Sequence, residues 1–200
     1  MSQETSDFIF GAVVLVIFLI FVFVLGWLIN KFKNARFAKA WASLQPIING
    51  KVHEDGGGAA TSYLVGTYQG WQVQASMMPN RNMYSGESGH YYNHFDVALL
   101  GVPGKQDWSF EYHAPIMGFG KSGWHVETKD QALAERLERA NLIAALAGMG
   151  QPKIIYQQRN GLLKYEADIT PLEVPTPEMF QKKLEILLWL AKVNEEVNAG

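Results

Sequence analysis

The chain has 200 residues, a formal net charge of −2 and no cysteine. Its length leaves room for one domain of ordinary size beside an N-terminal segment, and the missing cysteine excludes disulfides, thiolate metal sites and a cysteine nucleophile. After the four basic and two acidic residues of the first 40 are set aside, 13 basic and 17 acidic residues remain. This mildly acidic balance argues against a nucleic-acid-binding protein, which needs a basic surface.

The most pronounced pattern is an uncharged, apolar run of 22 residues, Phe8–Ile29. As a helix it would cover roughly 33 Å, which is enough to cross a bilayer core of about 30 Å. Its Leu, Ile, Val and Phe side chains favour insertion by on the order of 5–10 kcal/mol, and it lacks the polar face of a core helix. We therefore expect a transmembrane helix over 8–29 after a short tail over 1–7, with Trp27 at the headgroup level.

Basic residues follow this run directly and predict its orientation. The tail before the run has two acids and no base, and no cleavable signal peptide is indicated. Because an excess of Lys and Arg holds its flank in the cytoplasm, we expect a signal anchor of a single-pass cell-membrane protein with its N-terminus outside. Residues 30–43 then form a basic juxtamembrane helix or linker; a segment lying on anionic lipid is the alternative. The basic residues are Lys31, Lys33, Arg36 and Lys39.

Residues 44–200 predict a cytoplasmic α+β domain that begins with several strands. A first short strand is expected within 44–52. Strands over 61–68 and 71–78 form a hairpin on Gln69-Gly70, and strands over 91–101 and 107–114 are expected to form another. A short strand over 124–128 follows. A further hairpin joins 153–158 to 162–167 through Arg159-Asn160-Gly161, where Asn-Gly predicts a tight turn with positive φ at both residues.

Two helices complete this domain. Thr128 and Gln131 have the spacing of a capping box, which predicts a helix that ends before Gly148. The last helix is expected to open at Thr176, an N-cap, with Pro177 at its first position. Its core stripe is Phe180, Leu184, Leu187, Leu188 and Ala191. The order of elements predicts an antiparallel β-sheet with two helices packed on one face.

Histidines and carboxylates alternate along three of the predicted strands. If these strands are neighbours, their shared face could hold zinc or another divalent metal, and a site with an open position could activate water. The competing interpretation is a wet sheet face, which collects such residues without binding anything, and it is the more common situation. The candidate ligands are His90, His94, Asp96, His113 and His125.

No nucleotide-binding or serine-hydrolase motif accompanies these residues. Gly120-Lys121-Ser122 matches the end of a P-loop, but the first glycine of that motif would fall at Pro115. Aromatic residues in predicted loops and turns are candidates for protein contacts, because Tyr and Trp bury large areas while keeping a polar tip. These residues are Tyr84, Tyr91 and Trp124.

The sequence therefore favours a non-enzymatic interaction module that needs no cofactor. We expect it to contact the lipid bilayer and other subunits of a membrane complex. Self-association is not indicated, because Gly11 and Gly26 are too far apart for the G-x-x-x-G pairing of membrane helices. Two alternatives stay open, a metal-dependent hydrolase on the sheet face and a domain that senses a small ligand.

Overall fold

The computed structural model describes residues 3–54, 62–79, 93–113, 123–139, 142–170 and 173–199. It consists of two compact units, Met1–Ala40 and Trp41–Gly200. Helix α1 spans Gln3–Leu44, so it forms the first unit and its last residues belong to the second. The large apolar side chains from Val13 to Ile29 are exposed on α1. Within the residues described, no helix meets the length and apolarity that a membrane span requires.

The second unit is built on one eight-stranded sheet in which every pairing is antiparallel. The strand order across the sheet is β1-β2-β3-β4-β8-β7-β5-β6. The predicted α+β class and antiparallel sheet are confirmed. The strands are β1 (Lys51–Glu54), β2 (Ser62–Tyr68), β3 (Trp71–Pro79), β4 (Asn93–Leu100), β5 (Trp108–His113), β6 (Gly123–Glu127), β7 (Lys153–Gln157) and β8 (Leu162–Ile169).

Two of the predicted hairpins are present. β2 and β3 meet at Gln69 and Gly70, whose φ values of 49° and 87° are those of a tight hairpin turn. β7 and β8 also pair, but the turn between them differs from the prediction. A short 3₁₀ helix, Gln158–Asn160, precedes Gly161, and only this glycine has a positive φ, of 54°.

The predicted hairpin between the strands now called β4 and β5 is wrong. β4 pairs with β3 and β8, whereas β5 pairs with β6 and β7. The chain leaves the sheet after β4, and the later hairpin β7–β8 lies between the two strands. Nothing in the local sequence distinguishes this long-range insertion from a direct return, because the strands themselves have the expected residues.

The start of the domain also differs from the prediction. Residues Gln45–Ile48 form a 3₁₀ helix with Pro46 in its first turn, and β1 begins only at Lys51. Proline fixes its own φ at a helical value and lacks an N–H, which suits the first turn of a helix better than a strand. Ile48, at the end of this turn, is fully buried.

The described part of this unit also contains the helices α2 (Gln131–Arg139) and α3 (Leu142–Ala145), which lie between β6 and β7 in the chain, and α4 (Pro177–Ala199), which follows β8. The cap of α2 is Asp130, whose Oδ1 accepts from the Leu133 N–H at 3.1 Å, so the predicted capping box on Thr128 is wrong. Thr128 Oγ1 instead accepts from the backbone N–H of Asp130. At α4 the prediction is confirmed, because Thr176 Oγ1 accepts from the Met179 N–H at 3.3 Å.

Helix α4 packs against β4 and β8, and α2 contacts α4 and β6. We call the side of the sheet beneath α4 the covered face. All five residues of the predicted α4 stripe are buried. The covered face contributes Leu64, Val73, Phe95, Val97, Leu99, Phe110, Ile154, Tyr156, Leu163 and Tyr165. This single layer of apolar side chains between helix and sheet is the core of the domain.

Candidate functional site

The opposite side of the sheet, which we call the open face, holds the ionisable residues. Because side chains alternate along a strand, the buried residues of β4 leave His94 and Asp96 on the other side. The same alternation places Glu111 and His113 of β5 on this face. The register of the β5–β6 pairing adds His125 and Glu127 of β6. The structure thus places on one face four of the five predicted ligands, His94, Asp96, His113 and His125, together with Glu111 and Glu127.

Four of the open-face residues form a compact group on β4 and β8, which we call the His94 cluster. The register of the two strands sets His94 opposite Asp168 and Asp96 opposite Glu166. His94 Nδ1 donates a hydrogen bond to Asp168 Oδ1 at 2.9 Å. Its Nε2 lies 3.1 Å from Asp96 Oδ1 and 3.9 Å from Glu166 Oε2. One imidazole is therefore surrounded by three carboxylates.

The carboxylates of this cluster change the chemistry of the imidazole. Asp96 is the largest influence and, with Asp168 and Glu166, raises the pKa of His94 to about 9, against the opposing effect of burial. Asp96 Oδ1 is buried and receives no hydrogen bond from any residue described, although it lies at ion-pair distance from His94. Lys164 forms an ion pair with Glu166 through the carboxylate oxygen Oε1.

A second group on β5, β6 and β7 is looser, and we call it the Glu111 cluster. Lys153 Nζ lies 2.8 Å from Glu111 Oε2, and His113 Nε2 lies 3.4 Å from Glu111 Oε1 and 3.9 Å from Glu127 Oε1. The ammonium of Lys153 lowers the pKa of Glu111, and the carboxylate in turn raises the pKa of Lys153. The ring of His125 stands 4.8 Å from that of His113, centroid to centroid.

The predicted metal ligands do not lie together. His94 and Asp96 belong to the first cluster, whereas His113 and His125 belong to the second. β8 and β7 lie between β4 and β5, so three strand spacings, about 14 Å, separate His94 and Asp96 from the strand of His113, and His125 lies one strand further away. His90 lies outside the described residues. Whether either group binds a metal stays a prediction.

The predicted contact residues and anchor residues occupy different places. Trp124 of β6 is partly buried and stacks on Phe110 of the covered face, with ring centroids 4.9 Å apart. Tyr84 and Tyr91 lie outside the described residues. On α1, Trp27, Ile29, Lys31 and Lys39 are exposed, and the side chains of Phe8, Lys33 and Arg36 are not among those described.

Sequence reasoning missed Glu166 and Asp168, which complete the His94 cluster, and Lys153, which pairs with Glu111. Lys164, Glu166 and Asp168 alternate along β8 with the same period of two that identified His94 and Asp96. That pattern was sufficient to predict a charged face on β8. It could not predict that β8 would lie beside β4, because the two strands are more than 60 residues apart in the chain.

Comparisons with protein-family models, with curated proteins and with solved structures find no match to this chain. Function must therefore be argued from the chain itself.

One concave region bears on the alternative of a ligand-sensing domain. It has a volume of about 640 Å³ and lies where β6 leads into α2, next to the end of β7. Six of its seven lining residues have polar or charged side chains, whereas sites for small molecules are usually lined by apolar side chains. The lining residues are Gln106, Asp107, Val126, Glu127, Thr128, Lys129 and Gln158.

Proposed function

We propose that this chain is a single-pass membrane protein whose cytoplasmic α+β domain binds another subunit of a membrane complex. The observation that supports the proposal most directly is the band of exposed, large apolar side chains along α1 from Val13 to Ile29. Exposed apolar surface of this extent marks a membrane or protein contact, because water-exposed apolar patches on soluble proteins are small. The uncharged run of the sequence is longer than this band, since it begins at Phe8.

The residues that flank the run support its depth and its orientation. Lys31 Nζ lies 5.1 Å from the centroid of the Trp27 ring, a cation–π pair of the kind that suits the headgroup region. Lys and Arg follow the run, and acids precede it. By the positive-inside rule, the domain is therefore on the cytoplasmic side.

The open face supplies the binding surface of this proposal. The two clusters and the adjacent Lys164 contain five carboxylates against two lysines and the protonated His94, so the face attracts a partner with basic residues. Several of these groups lie at the surface: the side chains of Glu127 and Asp168 are 61% and 51% exposed. The carboxylates are Asp96, Glu111, Glu127, Glu166 and Asp168, and the lysines are Lys153 and Lys164. The partner we infer is a membrane subunit with a Lys- or Arg-rich cytoplasmic surface.

The anchor is tested by placing two charges at its centre. Ile17→Asp and Ile20→Asp together should cost about 5–7 kcal/mol of insertion free energy, and the protein should leave the membrane pellet on alkaline extraction. Aspartate is chosen because acids have little influence on orientation. The control is Ala42→Asp, on an exposed position of the last turn of α1, which should stay in the pellet. If alkaline extraction released wild type and the double variant equally, the proposal that this run is a membrane anchor would be contradicted.

The docking face is tested by charge reversal in full-length protein purified in a mild detergent. The double variant Glu127→Lys and Asp168→Lys should reduce at least tenfold the amount of the partner membrane subunit that co-purifies with the chain, because two attractive contacts become repulsive. The control, Glu178→Lys with Glu185→Lys on the exposed side of α4, should leave recovery unchanged. Equal recovery with both variants, or a chain that purifies alone in every mild detergent, would contradict the proposal.

A further inference from the structure

The His94 cluster has the ligand atoms and the spacing of a metal site, and this interpretation does not depend on the docking proposal. Imidazole nitrogen and carboxylate oxygen are the ligands that zinc and related divalent ions take in proteins. At zinc–ligand distances of about 2.1 Å and tetrahedral angles, neighbouring ligand atoms stand about 3.4 Å apart. The observed separations, 3.1 Å from His94 Nε2 to Asp96 Oδ1 and 3.9 Å to Glu166 Oε2, bracket that value.

The other nitrogen of the imidazole adds an independent argument. Metal-binding histidines usually donate their second N–H to a carboxylate or carbonyl, which fixes the ring and its tautomer. His94 Nδ1 donates to Asp168 Oδ1 at 2.9 Å, so Nε2 is the nitrogen that faces the two remaining carboxylates. The ring is thus already oriented toward the point where Asp96 and Glu166 converge.

The carboxylates of Asp96 and Glu166 share a single imidazole on the side that faces this point. Asp96 Oδ1 is buried, and the group that it faces is His94 Nε2 at 3.1 Å, the nitrogen whose proton a metal ion would replace. Lys164 pairs with Glu166 Oε1, which leaves Oε2 directed toward His94. The side chains of Asp96 and Glu166 are only 16% and 15% exposed, so their negative charge is poorly compensated by water.

We propose that His94, Asp96 and Glu166 bind a single divalent transition-metal ion of the zinc class. Asp168 acts as a positioning residue that holds the imidazole. The three ligands leave a coordination position for water. The Glu111 cluster is the weaker candidate, because His113 and Glu127 are 44% and 61% exposed, whereas His94, Asp96 and Glu166 are 34%, 16% and 15% exposed. Hard cations such as Mg²⁺ should bind less well, because they prefer oxygen ligands alone.

The test is a titration of full-length protein in detergent, stripped with a chelator and exchanged into metal-free buffer. Calorimetry with Zn²⁺ should give one ion per chain, and Mg²⁺ in tenfold excess should not displace it. Cobalt(II) should bind at the same stoichiometry and give visible absorption bands that report nitrogen and oxygen ligands. Asp96→Asn and Glu166→Gln should each weaken Zn²⁺ binding at least tenfold.

Two further variants keep the result decisive if a ligand variant fails to fold. Asp168 is half exposed, so Asp168→Asn should fold and weaken binding about 10–100-fold, as loss of an outer partner does. His113→Gln changes a histidine of the other cluster and should leave affinity unchanged. No stoichiometric binding by the wild type would overturn the proposal. The proposal would also be overturned if His113→Gln lost as much Zn²⁺ affinity as the variants of the His94 cluster, or if Asp168→Asn left Zn²⁺ affinity unchanged.

Discussion

The charged form of a basic side chain is disfavoured on one face of the sheet and favoured on the other. On the covered face, Lys183 of α4 is only 2% exposed and stands above the rings of Phe95 and Tyr165, 4.3 Å and 4.9 Å from their centroids. Desolvation lowers its pKa to about 8. On the open face, carboxylates led by Asp96 raise the pKa of His94 to about 9.

This difference arises within one strand. Phe95 contacts the core between His94 and Asp96, so a change of one position moves a side chain from apolar packing to a cluster of charges. Packing energy therefore belongs to the covered face, while the ionisable groups of both proposed binding sites lie on the open face. The predictions below test that division, beginning with the largest expected effect.

Truncation should be costly on the covered face and nearly free on the open face. Phe180 of α4 is fully buried and its ring lies 6.4 Å from that of Phe95. Phe180→Ala should lower the free energy of unfolding by about 3–5 kcal/mol, because it leaves a cavity. Thr67→Ala, at an exposed position of β2, should change it by less than about 0.5 kcal/mol. Chemical denaturation of both variants measures the contrast, and similar losses would contradict it.

Lys183 should make stability depend on pH. Its pKa in the folded protein, about 8, is below the value of 10.5 expected when unfolded, so the unfolded chain binds more protons between these values. The Lys183 contribution to stability should therefore rise as pH increases from about 8 to 10.5, by about 3 kcal/mol. Below pH 8 the full cost of burying the charge is present.

The variant Lys183→Met isolates this contribution. It removes the charge and keeps an apolar stem, so it should be more stable than wild type at pH 7 and should lose the rise above pH 8. Charges near Lys183, namely Glu173 and Asp96, oppose the lowered pKa and are unchanged in the variant. The difference between the stability–pH profiles of wild type and Lys183→Met, each measured by denaturation, gives the contribution of Lys183. Parallel profiles would contradict the predicted pH dependence.

A close backbone contact on the covered face predicts a smaller loss. A Cβ added at Gly66 of β2 would lie 2.3 Å from the carbonyl oxygen of Ile48, so the 3₁₀ turn would have to shift. Gly66→Ala should therefore cost about 1–3 kcal/mol. The matched control is Gly123→Ala in β6, where an added Cβ meets nothing within 4 Å. Thermal unfolding should separate the two, and equal midpoints would argue against this contact.

The last prediction concerns His94, whose side chain is 34% exposed, so that solvent screening reduces its effect on stability. In metal-free protein its ring should titrate near pH 9 by NMR, and Asp168→Asn should move the midpoint toward the ordinary value of 6.5. Since the folded pKa is raised, the stability it adds is complete below pH 6.5 and is lost as pH rises through 9. A midpoint near 6.5 in the wild type would contradict the ion pairs of this cluster.

The local predictions that succeeded have local causes, although the capping box on Thr128 and the Asn160-Gly161 turn were wrong. Gln69-Gly70 fixes a turn and Thr176 caps α4 through neighbouring atoms alone. The sequence could not predict the place of β8, because the pairing of His94 with Asp168 depends on contacts across the whole domain. The candidate site follows the same rule: alternation identified His94 and Asp96, while Glu166 and Asp168 required the strand order.

The most direct test of the proposed topology uses the absence of native cysteine. Single cysteines introduced as Ser2→Cys in the tail and Gln157→Cys at an exposed position of the domain are unique targets for a membrane-impermeant maleimide. In intact cells we expect labelling of the tail cysteine only, and labelling at position 157 only after permeabilisation. Labelling at position 157 in intact cells, or loss of the protein from alkaline-washed membranes, would contradict a cytoplasmic domain held by an N-terminal anchor.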